Sequence, residues 1–294
     1  MNKTRKKPIA AFLLIISLIF TVTLSGCSSI EELLGKRTEP ETQYSASFLT
    51  QPAEAKAIAI ALDVSGSTDD KFPESVRIAL YKKVLAYIPK ELESVASTGV
   101  QGYSGLDLVI YLINSVNANN YNKQDDSCKL IIKIPGVPAI EKKPTPPISP
   151  DLAYYDAEIL WTSEFTIWKE AYAASVATAN EEAEKIKNMD FTIKTTGKAS
   201  GIYNSIYAAV SALDSNKVSI GVFSDLFENG TDAGAQVMGK TGSVVFVVPA
   251  PDGNISAANK RADEFNKTLM SWGFNEARVF VPDSLLSAID ELFR

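Results

Sequence analysis

Six consecutive residues, Ala57 to Leu62, carry no polar side chain, and the run stops at a carboxylate, Asp63. A continuous apolar run this short is no buried helix; it reads as a central strand of a parallel sheet, covered on both faces. Lys217-Val218-Ser219-Ile220-Gly221-Val222-Phe223 reads as a second central strand, ending at Ser224-Asp225. Between and around these two, period-four and period-two patterns alternate. Val76, Leu80, Val84 and Ile88 predict a helix over 73–88, stopped by Pro89. Residues 106–113 and 129–134 predict two strands joined by a polar, Asn-rich turn. A long helix, whole or broken, spans 152–189 with Trp161, Phe165, Trp168 and Tyr172 at helical spacing, a stripe that belongs to a core. Ile202, Ile206, Val210 and Leu213 mark another helix; strands follow at 243–248 and 277–281, with helices at 257–272 and 284–293. Strand and helix alternate almost throughout, so the class is α/β with a mainly parallel sheet.

The loop after the first strand carries the chemistry. Asp63, Ser65 and Ser67 stand at alternate positions, followed by Thr68, Asp69 and Asp70. Hard oxygen ligands at this density, without His or Cys, suit Mg²⁺, with Mn²⁺ or Ca²⁺ as alternatives. The bland reading is a Ser/Asp loop that caps the next helix, with Asp69 and Asp70 as first-turn acids favoured by the helix dipole. In a doubly wound sheet, ligands sit outside the carboxyl ends of strands where the strand order reverses. If the strands ending at Asp63 and Asp225 are neighbours there, two carboxylates face one another across a crevice. Either one of them is neutralised by protonation or a cation binds between them.

The pattern Asp63-Val64-Ser65-Gly66-Ser67 resembles the metal-ion-dependent adhesion site of von Willebrand factor A domains. Ala199-Ser200-Gly201-Ile202 resembles that family's helix-opening loop, with Ser200 where the family prefers Thr. Ser224-Asp225 matches the strand end that supplies the last metal-linked carboxylate, although Leu226 stands where the family usually has Gly. The resemblance covers residues 57–294 and implies a doubly wound, Rossmann-like α/β fold with one antiparallel edge strand at 129–134. It also implies a metal site in which Ser65 and Ser67 ligate directly, Ser200 directly or through water, and Asp63 and Asp225 mainly through water. Such a site leaves a vertex for an acidic side chain of a protein partner, which is binding and not catalysis.

The chain has no histidine. That excludes a Ser-His-Asp triad, a Cys-His pair and a His₂ zinc-protease helix. A phosphatase of the haloacid dehalogenase type also begins with Asp at the end of a first strand. It needs a second Asp two residues on, where this chain has Ser65. No Walker-type loop and no Gly-x-Gly-x-x-Gly follows a strand, so nucleotide binding has no support. The remaining alternative to an adhesion module is a scaffold component of an envelope assembly, with the ion serving structure only.

The first 26 residues place the domain. Lys3, Arg5, Lys6 and Lys7 precede an apolar stretch from Ile9 to Val22, and Leu24-Ser25-Gly26-Cys27 matches the bacterial lipobox. Residues 1–26 read as a lipoprotein signal peptide, 27–56 as a lipidated stalk, and 57–294 as the A-type domain with a Pro-rich insertion at about 136–151. That insertion reads as a surface loop without regular structure or, alternatively, as an insertion that touches the partner. The whole chain has a formal charge of −6. Removal of 1–26 strips four positive and no negative charges, giving −10, which argues against nucleic acid and anionic headgroups as partners. With Cys27 acylated, Cys128 is the one thiol left and no intramolecular disulfide can form. The expected location is the bacterial cell envelope, on a membrane through the lipid. Labelled fatty acid is expected in the wild-type chain and not in Cys27→Ser; equal labelling of both, or of neither, would refute the assignment.

Overall fold

The apolar run after Lys56 forms the middle of a mainly parallel sheet in the computed structural model of the protein, which describes residues 44–64, 71–113, 128–189, 201–227, 239–249 and 254–294. Tyr44–Arg294 form one compact unit. In chain order the elements are β1 (Leu49–Thr50), β2 (Lys56–Asp63), α1 (Lys71–Leu85), α2 (Leu92–Val95), β3 (Leu106–Ile113), β4 (Lys129–Ile134), β5 (Ala139–Ile140) and α3 (Leu152–Lys187). They continue with α4 (Ile202–Ser211), β6 (Val218–Phe223), β7 (Gly242–Val247), α5 (Ile255–Ser271), β8 (Phe274–Phe280) and α6 (Leu285–Leu292). The main sheet has the order β4-β3-β2-β6-β7-β8, and β1 with β5 makes a separate antiparallel pair. Every neighbour pair in the main sheet is parallel except β3 with β4, so β4 is an antiparallel edge strand as expected.

β2 shows why the sheet is wound on both faces. Its even positions, Ile58, Ile60 and Leu62, join the apolar cluster beneath α1, α3 and α6. Its odd positions, Ala57, Ala59 and Ala61, join the cluster beneath α4 and α5. Successive strand side chains point to opposite faces, so large residues fill one side while alanines leave room for α4 on the other. Ile202, Ile206 and Val210 of α4 are buried on that second side, as their spacing predicts.

The 36 residues of α3 form one unbroken helix. Asp151 caps it, accepting a hydrogen bond from the Tyr154 backbone N–H at 2.9 Å, and Lys185 and Lys187 stand in its last turn, where the dipole favours cations. The aromatic stripe is core: Trp161, Phe165, Trp168 and Tyr172 stack in sequence with centroid spacings of 4.7, 6.0 and 5.2 Å. Each polar handle in the stack finds a carbonyl. Trp161 Nε1 donates to Glu141 O at 2.9 Å, Trp168 Nε1 to Pro138 O at 3.0 Å, and the Tyr172 hydroxyl to Lys90 O at 2.7 Å. Burial of the rings and satisfaction of their donors therefore tie α3 to two loops at once.

Two expectations need correction. Residues 44–56, read as stalk, belong to the folded unit from Tyr44 on: Phe48 is buried, its N–H donates to Glu164 Oε2 at 2.6 Å, and β1 pairs with β5. A two-residue strand carries no periodicity, and its partner lies about 90 residues away in sequence, so nothing local announces it. The Pro-rich segment is regular in its first half. Val137 exchanges backbone hydrogen bonds with Tyr103, both at 2.8 Å, and Val137 and Ile140 are buried. The prolines are compatible because pairing uses Val137 and Ile140, while Pro138 offers its carbonyl to Trp168. Boundary differences are smaller. α1 starts at Lys71, with Pro73 in the first turn where an N–H needs no helical partner, and ends before Ile88, which is still buried. β8 starts at Phe274, where Gly273 turns the chain at φ +109°. The Asn-rich turn lies outside the described residues, as do residues 1–43.

Trp168→Ala should lower the unfolding free energy by about 3–5 kcal/mol. Trp168→Phe, which keeps a ring but orphans the Pro138 carbonyl, should cost about 1–3 kcal/mol. Urea unfolding checks both; a Trp168→Phe cost near zero would mean that the indole N–H has no role.

Candidate metal centre

The two carboxylates singled out in the sequence end neighbouring strands. β2 and β6 pair directly and in parallel, with Leu62 opposite Phe223, so Asp63 and Ser224-Asp225 leave the sheet side by side at its carboxyl edge. This is the reversal point of the sheet: β3 and β4 lie to one side and β7 and β8 to the other. Asp63 is fully buried and Asp225 almost so. Two carboxylates this dry need hydrogen-bond donors or a cation.

Ser224 supplies the first donor. Its hydroxyl donates to Asp63 Oδ2 at 2.8 Å and accepts from the Leu226 backbone N–H at 3.0 Å, while its own N–H donates to Val247 O at 3.2 Å. One side chain thus orients the Asp63 carboxylate and closes the turn that follows β6. Asp225 closes the same turn from the other side, Oδ1 accepting from the Phe227 N–H at 3.1 Å. Arg261, on α5, donates from Nε to Asp225 O at 2.9 Å, and its guanidinium lies 4.2 Å from the centre of the Phe227 ring.

Leu226 holds φ +60° and is the one non-glycine residue with positive φ among those described. The left-handed region costs a non-glycine residue roughly 1–2 kcal/mol. Leu226 is buried in the cluster beneath α4 and α5, and burying a leucine side chain returns about 1.5–3 kcal/mol. Burial therefore holds the turn in the conformation for which a glycine would be the cheap choice.

Topology brings the third segment to the same edge. α4 precedes β6, which runs parallel to β2, so the helix descends from the carboxyl edge to the amino edge and Gly201, its first cap, stands at the carboxyl edge. Behind Gly201, Ser205 is buried and donates to Gly201 O at 2.8 Å, and Asn204 is buried beside it. Ser200 itself, together with Ser65, Ser67, Thr68, Asp69 and Asp70, lies outside the described residues. The structure thus brings Asp63 and Asp225 together and puts the residues adjoining Ser65 and Ser200 at their edge.

Hydroxyl oxygens and a pair of carboxylates fit a hard divalent cation by donor type. Among the described residues no group of three or more His, Cys, Asp or Glu side chains could hold a metal ion. Asp63 and Asp225 by themselves do not make such a group. Sequence reasoning used Ser224 only as a marker of the strand end, whereas the structure makes it the hydrogen-bond link between the two strands. Arg261 and Phe227 were missed; they meet the site from an unrelated helix and a loop, and no spacing rule connects them.

No family model matches the chain, and no curated protein matches it. Among solved structures, the crystal structure of the human COPII-coat protein Sec24c aligns at 9% identity with a TM-score of 0.26, covering 88% of this chain and 37% of that chain. A likeness at that score carries no argument about fold or function.

Ser224→Ala should destabilise the protein by about 1–3 kcal/mol, because it removes a donor from a fully buried carboxylate and an acceptor from the Leu226 N–H. Chemical unfolding with and without Mg²⁺ checks this; an unchanged midpoint would show that the Ser224 link is idle.

Proposed function

We propose that the protein is a lipid-anchored, divalent-metal-dependent protein-binding module of the von Willebrand factor A type, with Mg²⁺ (or Mn²⁺ or Ca²⁺) held by Asp63, Ser65, Ser67, Ser200 and Asp225. The observation that carries this reading is the adjacency of Asp63 and Asp225, two buried carboxylates ending neighbouring parallel strands at the reversal point of the sheet. The order of the three motifs along the chain supports it. No candidate general base of the histidine type exists anywhere in the sequence, and the position a haloacid dehalogenase needs for its second Asp is Ser65, so the reading is binding without catalysis.

The residues divide the work by charge. Asp63 and Asp225 contribute the negative charge that retains a cation, and the Ser224 hydroxyl fixes the direction in which Asp63 presents its oxygens. Serine hydroxyls add ligands without adding charge, so the bound ion keeps its attraction for a further anion. A cation held by these residues would supply a charge-assisted contact for an Asp or Glu of a partner protein, stronger in a crevice that excludes water. Arg261 holds the Asp225 turn from outside, through the backbone carbonyl.

Calorimetry should find a single Mg²⁺ site whose affinity falls at least about tenfold, or about 1.4 kcal/mol, in Asp63→Ala and in Asp225→Ala. Unchanged binding in both variants would refute the ligand assignment. A partner captured from the envelope in Mg²⁺ should dissociate in EDTA at constant ionic strength. If chelation lowers the melting temperature while the partner stays bound, the ion is structural and the protein is a scaffold.

A further inference from the structure

We infer that the outer face of the first two turns of α3, with the loop before it, rests on the surface of the lipid bilayer that holds the anchor. This inference builds on the reading of Cys27 as the lipidated residue. Leu152, Tyr155 and Ile159 are 76%, 51% and 69% exposed, and Ile148, just ahead of the helix cap, is fully exposed. At 100° per residue, Leu152, Tyr155 and Ile159 fall within about 60° of one another. The buried residues Tyr154, Ala157 and Trp161 occupy the opposite side. The outer side of the first turns is thus apolar at Leu152, Tyr155 and Ile159, with the exposed carboxylate of Asp156 at its margin. From Ser163 onward, the positions that continue the outer stripe are Ser163, Thr166 and Glu170, so the apolar character ends with Ile159. Aliphatic side chains accompanied by a tyrosine are the composition of a surface that enters the headgroup boundary.

The tether arrives at this place. Tyr44, the first described residue, packs edge-on against Tyr154 at 6.2 Å, and Tyr154 packs against Tyr155 at 5.6 Å. Sixteen residues, 28–43, separate Cys27 from Tyr44, so the chain from the lipid reaches the domain at the same end of α3 as the exposed stripe, through a contact on the helix's buried side.

The direction of the helix gives a second, independent argument. β4 is antiparallel to β3 and ends with Ile134 opposite Leu106, at the amino edge of the sheet. The segment that follows stays there, paired with Tyr103 and with β1, and Trp161 and Trp168 of α3 bond to its carbonyls. At its far end α3 accepts a hydrogen bond at Lys187 O from Arg77, which lies in the first half of α1 and so near the carboxyl edge. A 36-residue helix is about 54 Å long and an eight-residue strand about 27 Å, so α3 overreaches the sheet. Its apolar start belongs to the amino edge, and Asp63 and Asp225 lie at the opposite one. A domain seated on the bilayer through Leu152, Tyr155 and Ile159 holds the carboxyl edge away from the membrane, open to a partner. A second copy of the chain seated on the same stripe would cover the tether side of both copies.

The test uses the full acylated chain in vesicles of phosphatidylethanolamine and phosphatidylcholine, zwitterionic lipids that do not repel an acidic domain, with part of the phosphatidylcholine carrying a photoactivatable diazirine in its acyl chain. After irradiation, the label on the domain should map to the peptide containing residues 148–159. It should fall by about tenfold or more in Leu152→Asp/Ile159→Asp, with the circular dichroism spectrum and vesicle flotation unchanged. Label spread over other faces, or none on the domain of a chain that floats with the vesicles, overturns the inference and leaves the anchor reading intact. Chain-to-chain cross-links through Leu152 or Ile159 in place of lipid label assign the stripe to a second copy and also overturn it. A chain that fails to float overturns both readings.

Discussion

Everything at the candidate site depends on the direct parallel pairing of β2 with β6. These strands are separated by more than 150 residues, and neither has a turn or hairpin to hold it against the other. Their pairing is stabilised by what lies above and below: the large residues of β2 under α1, α3 and α6, and its alanines under α4. Only when both layers are in place do two carboxylates end next to one another in a dry environment. The hydrogen bond from Ser224 to Asp63 is the local expression of that arrangement, joining the ends of the two strands across 161 residues of sequence.

The turn after β6 shows how the fold tolerates a costly residue. A glycine would adopt φ +60° freely, but Leu226 adopts it at a cost that its own burial offsets. Ser224, Asp225 and Arg261 each add a hydrogen bond to the same four residues. The carboxylate of Asp225 is therefore carried on a turn held by packing from inside and by the Arg261 guanidinium from outside. Such over-determination keeps a side chain in place without any ligand.

The two ends of the domain have different chemistry. The carboxyl edge carries the Asp63 and Asp225 carboxylates and the Ser224 hydroxyl at the switch point of the sheet. Around the amino edge stand β1, β5, Tyr44 and the apolar start of α3. The long helix connects them as one rigid body, its aromatic stack anchored by donors to loops of the amino end and its last turn tied to α1.

Length, order and type of the main elements were legible in the chain. β3 and β4 lie where their alternation puts them, α4 and α5 within two residues, and the aromatic stripe of α3 is core. These follow from periodicity, a local property that survives any tertiary arrangement. The carboxylates Asp63 and Asp225 were legible as well, because each ends an apolar strand. Their adjacency was not, since strand order is set by packing of helices on both faces and leaves no mark on either strand. Nor were the pairing of β1 with β5, the ordering of Gly136–Ile140, or the approach of Arg261 to Asp225. Each joins two or three residues to a distant segment, so the free energy that fixes them comes from contacts that exist only once the core has formed. The exposed stripe of Leu152, Tyr155 and Ile159 illustrates the same division. Its spacing is written in the sequence, but that it faces outward was decided by the burial of Tyr154, Ala157 and Trp161 on the other side of the helix.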